Sequence, residues 1–368
     1  SFFTTTTTHQ QCNRQTHNRL TMRFWYYKGV WASKYAKKAI KNITRDDVKS
    51  IAVIRHAALG DMVLTRSFLL EARKAFPQAA ITLSVVSNYT LGVPHDLIDR
   101  LHIIHGHDQR DTPLRERIRS IRELGYHDLV FDLASSNRSY MLLFFNKAML
   151  KIGFPYRKTQ AWIFNDVATC RSDLNFEVDD MLNMLKVFGA RTAYPHIYNM
   201  PGNPVSRARP YIIYFTSASV AYKCWPADRF IALLKDLSVE YPDHDHIILE
   251  GVLPWEKEIV QTILTPLNNI DNVYSLSTGT VEEATDLIQG SRLVVSNDTG
   301  IRHLGIVSQI PTVGIFLWEP YRYWPRCDIH DVAIPDDSGP PEISRVKQAI
   351  VNQLEKTRVD TEAPGTTT

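Results

Sequence analysis

Two series of short apolar segments alternating with amphipathic ones follow each other along this chain, parted by a stretch that suits neither pattern. In the first series, residues 50–56 (SIAVIRH), 81–86, 101–105 and 129–134 read as buried strands: short, apolar and bounded by polar or turn residues. Residues 62–76 and 115–124 read as helices, the first closed by Pro77, which has no N–H to continue it. A further helix is expected at 179–188, stopped by Gly189. The stretch 199–210 (NMPGNPVSRARP) is rich in Pro, Gly and Asn and has no period, which puts a linker at 201–210. The alternation then restarts, with strands expected at 211–217, 246–251, 272–277, 292–297 and 312–317. Helices are expected between them at 227–240, 255–264, 281–289 and 300–308. A last helix at 341–358 follows Pro340, and the tail 359–368 is expected to be disordered. Such alternation implies parallel sheets covered by helices on both faces. The expected fold class is therefore α/β, with two doubly wound domains, 50–200 and 211–340, facing across a cleft. A chain of 368 residues is long enough for both. Ligands of such sheets bind beyond the C-terminal ends of the strands, so the cleft is the expected site.

Charge and cysteine usage narrow the partners. With 42 basic and 39 acidic residues, the chain carries no excess that would suit a polyanion, and nucleic acid is not expected. Cys12, Cys170, Cys224 and Cys327 are scattered, with no C-x-x-C pair, which fits neither a zinc site nor a disulfide framework and suits a reducing cytoplasm. No run of about 18 apolar residues could span a bilayer. Residues 1–22 are rich in Thr and Gln and are expected to be disordered, with Met22 a candidate start. Residues 23–49 form a basic, aromatic segment. Phe24, Tyr27, Trp31 and Tyr35 recur at helical spacing beside Lys34, Lys37 and Lys41, with no acidic residue as far as Arg45. Residues 23–45 are thus a candidate peripheral contact with an anionic membrane. The alternative is a helix packed on the protein body with its lysines in water.

Three loops could carry chemistry. The first strand ends in Arg55-His56-Ala57-Ala58-Leu59-Gly60-Asp61, which sets a carboxylate at a helix start facing the cleft. Asp61 is equally suited to be an ordinary N-cap. No G-x-G-x-x-G follows this strand, which counts against a dinucleotide-binding oxidoreductase. In the second half, the loop from Thr216 and Ser217 through Lys223 to Trp225-Pro226 offers hydroxyls and an ammonium to a pyrophosphate, or is simply solvated. The third loop, Asn297-Asp298-Thr299-Gly300-Ile301-Arg302-His303, opens a helix whose N–H groups and dipole favour an anion. Thr299 and His303, four apart, would share one side of that helix, while Asp298 could merely cap it. Two further groupings, His105-Gly106-His107-Asp108 and Asp243-His244-Asp245-His246, lack further ligands in the sequence and read as polar loops rather than metal sites.

In order along the chain, L-G-D at Leu59–Asp61, K-x-W-P at Lys223–Pro226, D-T-G-x-x-H at Asp298–His303 and P-T-V-G-I-F at Pro311–Phe316 resemble the ADP-heptose:lipopolysaccharide heptosyltransferases. The resemblance covers about residues 50–335 and implies the GT-B fold: two facing Rossmann-like domains, with the donor nucleotide mostly on the second. It implies Asp61 as general base and Lys223 as the group stabilising the departing ADP, supported by Thr216 and Ser217. It implies that Thr299, Gly300 and His303 bind the diphosphate or adjoining sugar and that Asp298 orders the loop or touches the donor. Glu258 fits the acidic position that contacts the donor ribose, with Glu256 as a competitor. The implied reaction is inverting transfer of a heptose or similar sugar from an ADP-sugar to lipopolysaccharide core or another glycolipid, with no metal and no other cofactor. The chain departs from the family at Ile301-Arg302, where Pro-Met is usual, and in the aromatic, arginine-bearing loop Trp318–Arg326. A transferase for another nucleotide sugar and a non-catalytic sugar-nucleotide-binding protein are the alternative expectations.

Overall fold

The computed structural model describes residues 30–337 and 339–362. The segment 1–22, the aromatics Phe24 and Tyr27 and the end of the tail from 363 lie outside the described residues. The first lobe runs β1 (Trp31–Ala32), α1 (Lys34–Asn42), β2 (Ser50–Ile54), α2 (Leu59–Ala75), β3 (Ala80–Val86), β4 (Arg100–Ile104) and α3 (Leu114–Arg122). It continues with β5 (His127–Asp132), α4 (Asn137–Phe145), β6 (Ala148–Gly153), α5 (Lys158–Phe164), β7 (Val167–Ala168) and α6 (Glu177–Lys186). The strands lie in the order β1-β7-β6-β5-β2-β3-β4, all parallel except the β1–β7 pair.

The second lobe runs β8 (Tyr211–Phe215), α7 (Ala227–Glu240), β9 (Asp245–Leu249), α8 (Pro254–Leu264), β10 (Val273–Leu276) and α9 (Val281–Gln289). Then come β11 (Leu293–Asn297), α10 (Gly300–Val307), β12 (Thr312–Ile315), β13 (His330–Ala333) and α11 (Ile343–Glu362). Its sheet, β10-β9-β8-β11-β12-β13, is parallel throughout. Strands such as Tyr211–Phe215 are buried at every position, as a sheet covered on both faces requires. Residues 190–210 carry no helix or strand.

Several expected boundaries move. Trp31 is not on a helix with Tyr35: it forms β1 against Ala168, and α1 starts only after Ser33, whose side chain accepts from the Ala36 N–H at 2.9 Å. The edge pairing is non-local, so helical spacing could not reveal it. Helix α2 begins at Leu59, three residues before the expected start. Elements α4, β6, α5, β7 and β13 were not expected, and α11 runs on to Glu362, beyond the expected end at 358.

The lobes meet through helices. A single apolar core joins Met62, Val63 and Phe68 of α2 to Met181 and Leu185 of α6 and, across the cleft, to Leu304 and Ile306 of α10. Glycines make the close approach of α2 and α10 possible. A Cβ at Gly60 would lie 2.9 Å from the His303 ring, and one at Gly300 3.1 Å from a Leu59 methyl.

Candidate active site

Between the lobes opens a cavity of about 480 Å³. From the first lobe, Ala58, Leu59 and Gly60 at the start of α2 line it; from the second, it takes the segments that leave the C-terminal ends of β8, β9, β10 and β11. This is where doubly wound sheets place ligands. At the wall stands the N-terminus of α10, whose cap residue Thr299 makes no side-chain bond to the helix. The Thr299 hydroxyl instead meets the Ser296 hydroxyl at 3.0 Å, leaving the first-turn N–H groups without a side-chain acceptor.

Asp61 lies in the first turn of α2 rather than at its cap, which is Ala58. Its side chain is 36% exposed and its carboxylate lies 3.5 Å from the buried Arg55 guanidinium, which also donates to the Asp61 carbonyl. Arg55 in turn donates to Glu177 at 3.0 Å. Glu177 also accepts from Arg171 at 2.7 Å and from Arg322, across the cleft, at 2.8 Å. Burial works against the Arg55 charge, but Asp61 and Glu177 outweigh it and raise its pKa.

Across the cleft, Asp298 pairs with the fully buried Arg302 at 3.4 Å. Burial pushes the Asp298 carboxyl above its ordinary range, Arg302 and Lys223 pull it back, and Asp61 adds to the rise. Lys223 sits in a single turn after β8 with its ammonium 4.6 Å from the centre of the Trp318 ring. Tyr323 lies among Asp61, Asp298 and Glu177, and burial followed by those three charges raises its phenol pKa. His56 is held neutral, at a pKa of about 3, by burial first and then by Arg138, His102 and Arg55.

The expected site residues therefore divide. Thr299 and Gly300 line the cavity. Asp61 and Asp298 adjoin the lining residues Gly60 and Thr299, and Lys223 is close enough to lower the Asp298 carboxyl, as Asp61 raises it. His303 does not share the ligand-facing side with Thr299. It is 4% exposed, stands edge-on to Tyr323, contacts Arg302 at 3.2 Å and fills the space that Gly60 leaves. Burial, then Arg302 and Arg55, keeps it neutral. Thr216 and Ser217 are buried behind the wall, where their carbonyls accept from the Asn297 amide; Ala218 and Ser219 reach the cavity in their place. Glu258 is exposed on α8 and does not line the cavity, whereas Glu256 does, its carboxylate accepting from the Leu253 N–H at 2.8 Å. Glu250, unremarked in the sequence, also lines it, its pKa lowered by the Ser277 and Ser275 hydroxyls.

The two His/Asp groupings serve the fold. Asp108 accepts from Ser87 at 2.6 Å, and His246 meets the Tyr214 hydroxyl at 2.9 Å. Among the described residues, no cluster of three or more His, Cys, Asp or Glu side chains is placed to hold a metal ion. No described helix is long and apolar enough to cross a membrane.

The model of glycosyltransferase family 9 (heptosyltransferase) matches residues 115–338, more than half of the chain. The chain belongs to glycosyltransferase family 9. It is a heptosyltransferase-like glycosyltransferase with the two-lobed GT-B fold. The structure of E. coli heptosyltransferase WaaC with ADP is similar at a TM-score of 0.68 and 18% identity, over 83% of this chain and 99% of that one. E. coli ADP-heptose lipopolysaccharide heptosyltransferase II gives 0.63 and 20%, over 84% and 99%. A family 9 glycosyltransferase from Veillonella parvula gives 0.65 and 19%, over 86% and 99%. No curated protein matches the chain's sequence. Within the family frame, the Arg55, Glu177, Arg171 and Arg322 network stands out as what sequence reading missed. Its members are far apart along the chain, and only folding brings them to Asp61.

Proposed function

We propose that this glycosyltransferase moves a heptose or similar sugar from an ADP-sugar to a hydroxyl of a lipopolysaccharide core or other surface glycan, at the cytoplasmic face of the inner membrane. The observation that carries the reading is the pairing of a partly exposed carboxylate, Asp61, with a cationic wall across the cleft: Lys223 and the uncapped N-terminus of α10. An alcohol is a weak nucleophile at neutral pH. Asp61 accepts its proton as the oxygen attacks the anomeric carbon, while the bond from that carbon to the diphosphate breaks. The electron pair leaves with ADP, and attack from the opposite side inverts the anomeric centre. Lys223 and the helix N-terminus stabilise the charge developing on the diphosphate, so the reading gives no step to a metal. The structures of E. coli heptosyltransferase WaaC with ADP and with ADP-2-deoxy-2-fluoro heptose support the choice of donor class.

Replacement of Asp61 by Asn tests the assignment. Turnover should fall at least about 100-fold, the range for loss of a general base, while ADP affinity stays within about twofold. Parallel loss of both would contradict the role given to Asp61.

A further inference from the structure

Helices α3, α4 and α5 pack side by side over one face of the first sheet. Their inner sides bury Ile121, Leu142 and Leu143 in a core of their own with Ala52, Ile54 and Val130. Helices of a soluble lobe turn polar side chains to water, yet here the outer side carries large apolar ones. Leu114 is 69% exposed, Phe144 68%, Ile163 67%, Trp162 51% and Met141 40%. Two hollows link Leu114, Met141 and Phe144, and Trp162 and Ile163 are exposed on the adjoining helix α5. One lies between α3 and α4, walled by Leu114, Ile118 and Met141; the other, between α4 and α5, is walled by Met141, Phe144 and Phe164. An exposed apolar patch of this kind marks an interaction surface.

Charge decides the partner. Arg110, Arg115, Arg119, Arg122, Lys147 and Arg157 are exposed around the patch. The acidic residues near them are Asp108, Asp111, Glu116 and Glu123, all on the α3 side; from 137 to 164 there is none. Apolar side chains ringed by arginines match the interface of an anionic bilayer, where the rings and methyls enter the acyl boundary and the guanidinium groups meet lipid phosphates.

We propose that the α3–α4–α5 face is a docking surface for an anionic lipid bilayer. Arg138, in the first turn of α4, and His105 to His107, after β4, lie on the α3–α4 hollow at the C-terminal end of the sheet. That is also the end at which Asp61 opens α2. Docking places this end of the sheet beside the bilayer, with Asp61 at the same C-terminal edge but on α2, which packs on the opposite face of the sheet. This surface is separate from the lysines of α1.

The test is co-sedimentation of the full chain with phosphatidylcholine vesicles that contain or lack phosphatidylglycerol, without donor, so that its result is independent of the proposed transfer reaction. Binding is expected to the anionic vesicles only and to weaken as salt rises. Arg115→Ser/Arg119→Ser/Arg122→Ser should lower partition about 100-fold, at about fivefold for each cation near an anionic surface. Phe144→Ser/Ile163→Ser should lower it at least about tenfold with the thermal melt unchanged, both positions being exposed. The inference is overturned by absence of vesicle binding, by equal binding to neutral and anionic vesicles, or by wild-type partition in both variants. Loss of binding confined to serine substitutions of Lys34, Lys37, Lys38 and Lys41 would overturn it as well.

Discussion

Removing the Glu177 carboxylate should be among the most damaging single changes outside the apolar core. Its side chain is 1% exposed and receives Arg55, Arg171 and Arg322 at 3.0, 2.7 and 2.8 Å. The partners differ in how far water can replace the lost charge: their side chains are 3%, 9% and 22% exposed, respectively. Arg322 can rehydrate, Arg171 also stacks on Phe154 at 4.4 Å, and Arg55 keeps Asp61 at 3.5 Å. Breaking a buried pair by deleting one partner costs about 3–5 kcal/mol, and the remaining Asp61 contact argues for the lower end, about 3 kcal/mol. At about 2.1 cal/mol/K per residue the 368-residue chain shifts about 1.3 °C per kcal/mol, so Glu177→Ala should melt roughly 4 °C below wild type. Arg322→Ala, which removes the most hydrated partner, should cost no more than about 1 kcal/mol. Thermal unfolding followed by near-UV circular dichroism at neutral pH measures both. A Glu177→Ala melt within about 2 °C of wild type would refute the view that this carboxylate is the counter-charge on which the cleft arginines depend.

Other outcomes follow from the same geometry. Gly60→Ala puts a methyl 2.9 Å from the His303 ring and should cost about 1–3 kcal/mol. In a double-mutant cycle with His303→Ala that cost should largely disappear, and strict additivity would show that the contact is not the cause. His330 is buried against the Thr312 hydroxyl at 3.0 Å and holds a pKa of about 3, through burial first and Arg302 second. Below the unfolded value of about 6.5, the unfolded chain binds a proton that the native state refuses, so stability falls as pH drops from there toward 3. His330→Gln should flatten the stability curve by about 1.4 kcal/mol per pH unit between about pH 6 and 4, and an unchanged slope in denaturant titrations would contradict the linkage.

The strand–helix alternation was legible because each central strand is a short apolar run with turn residues at its ends. Tyr211–Phe215, buried throughout, is the plainest case. Strand β6 escaped because Lys151 interrupts its apolar run, and β7 because a two-residue strand has no period. Thr299 and Gly300 line the cavity because a helix start after a strand end has few places to go. His303 does not line the cavity because the second face of α10 is claimed by another helix: α2 comes so close at Gly60 that the imidazole is enclosed. For Glu256 and Glu258 the deciding fact is local. Glu256 reaches back to the Leu253 N–H at the start of α8 and so turns toward the cavity, leaving Glu258 outside. Nothing in the sequence ties Glu177 to Arg55 or Arg322, which are 122 and 145 residues away. Long-range charge networks of that kind become visible only when the lobes are assembled.

The central claim is that the cleft binds an ADP-sugar and that Lys223 takes the charge of the leaving diphosphate. Isothermal titration with ADP, GDP, UDP and NADH, in buffer free of metal ions, tests it most directly. The account predicts selective binding of ADP, weakened about tenfold by Lys223→Ala as one charge-assisted contact is lost. Preference for UDP or GDP, or no nucleotide binding at all, would contradict it.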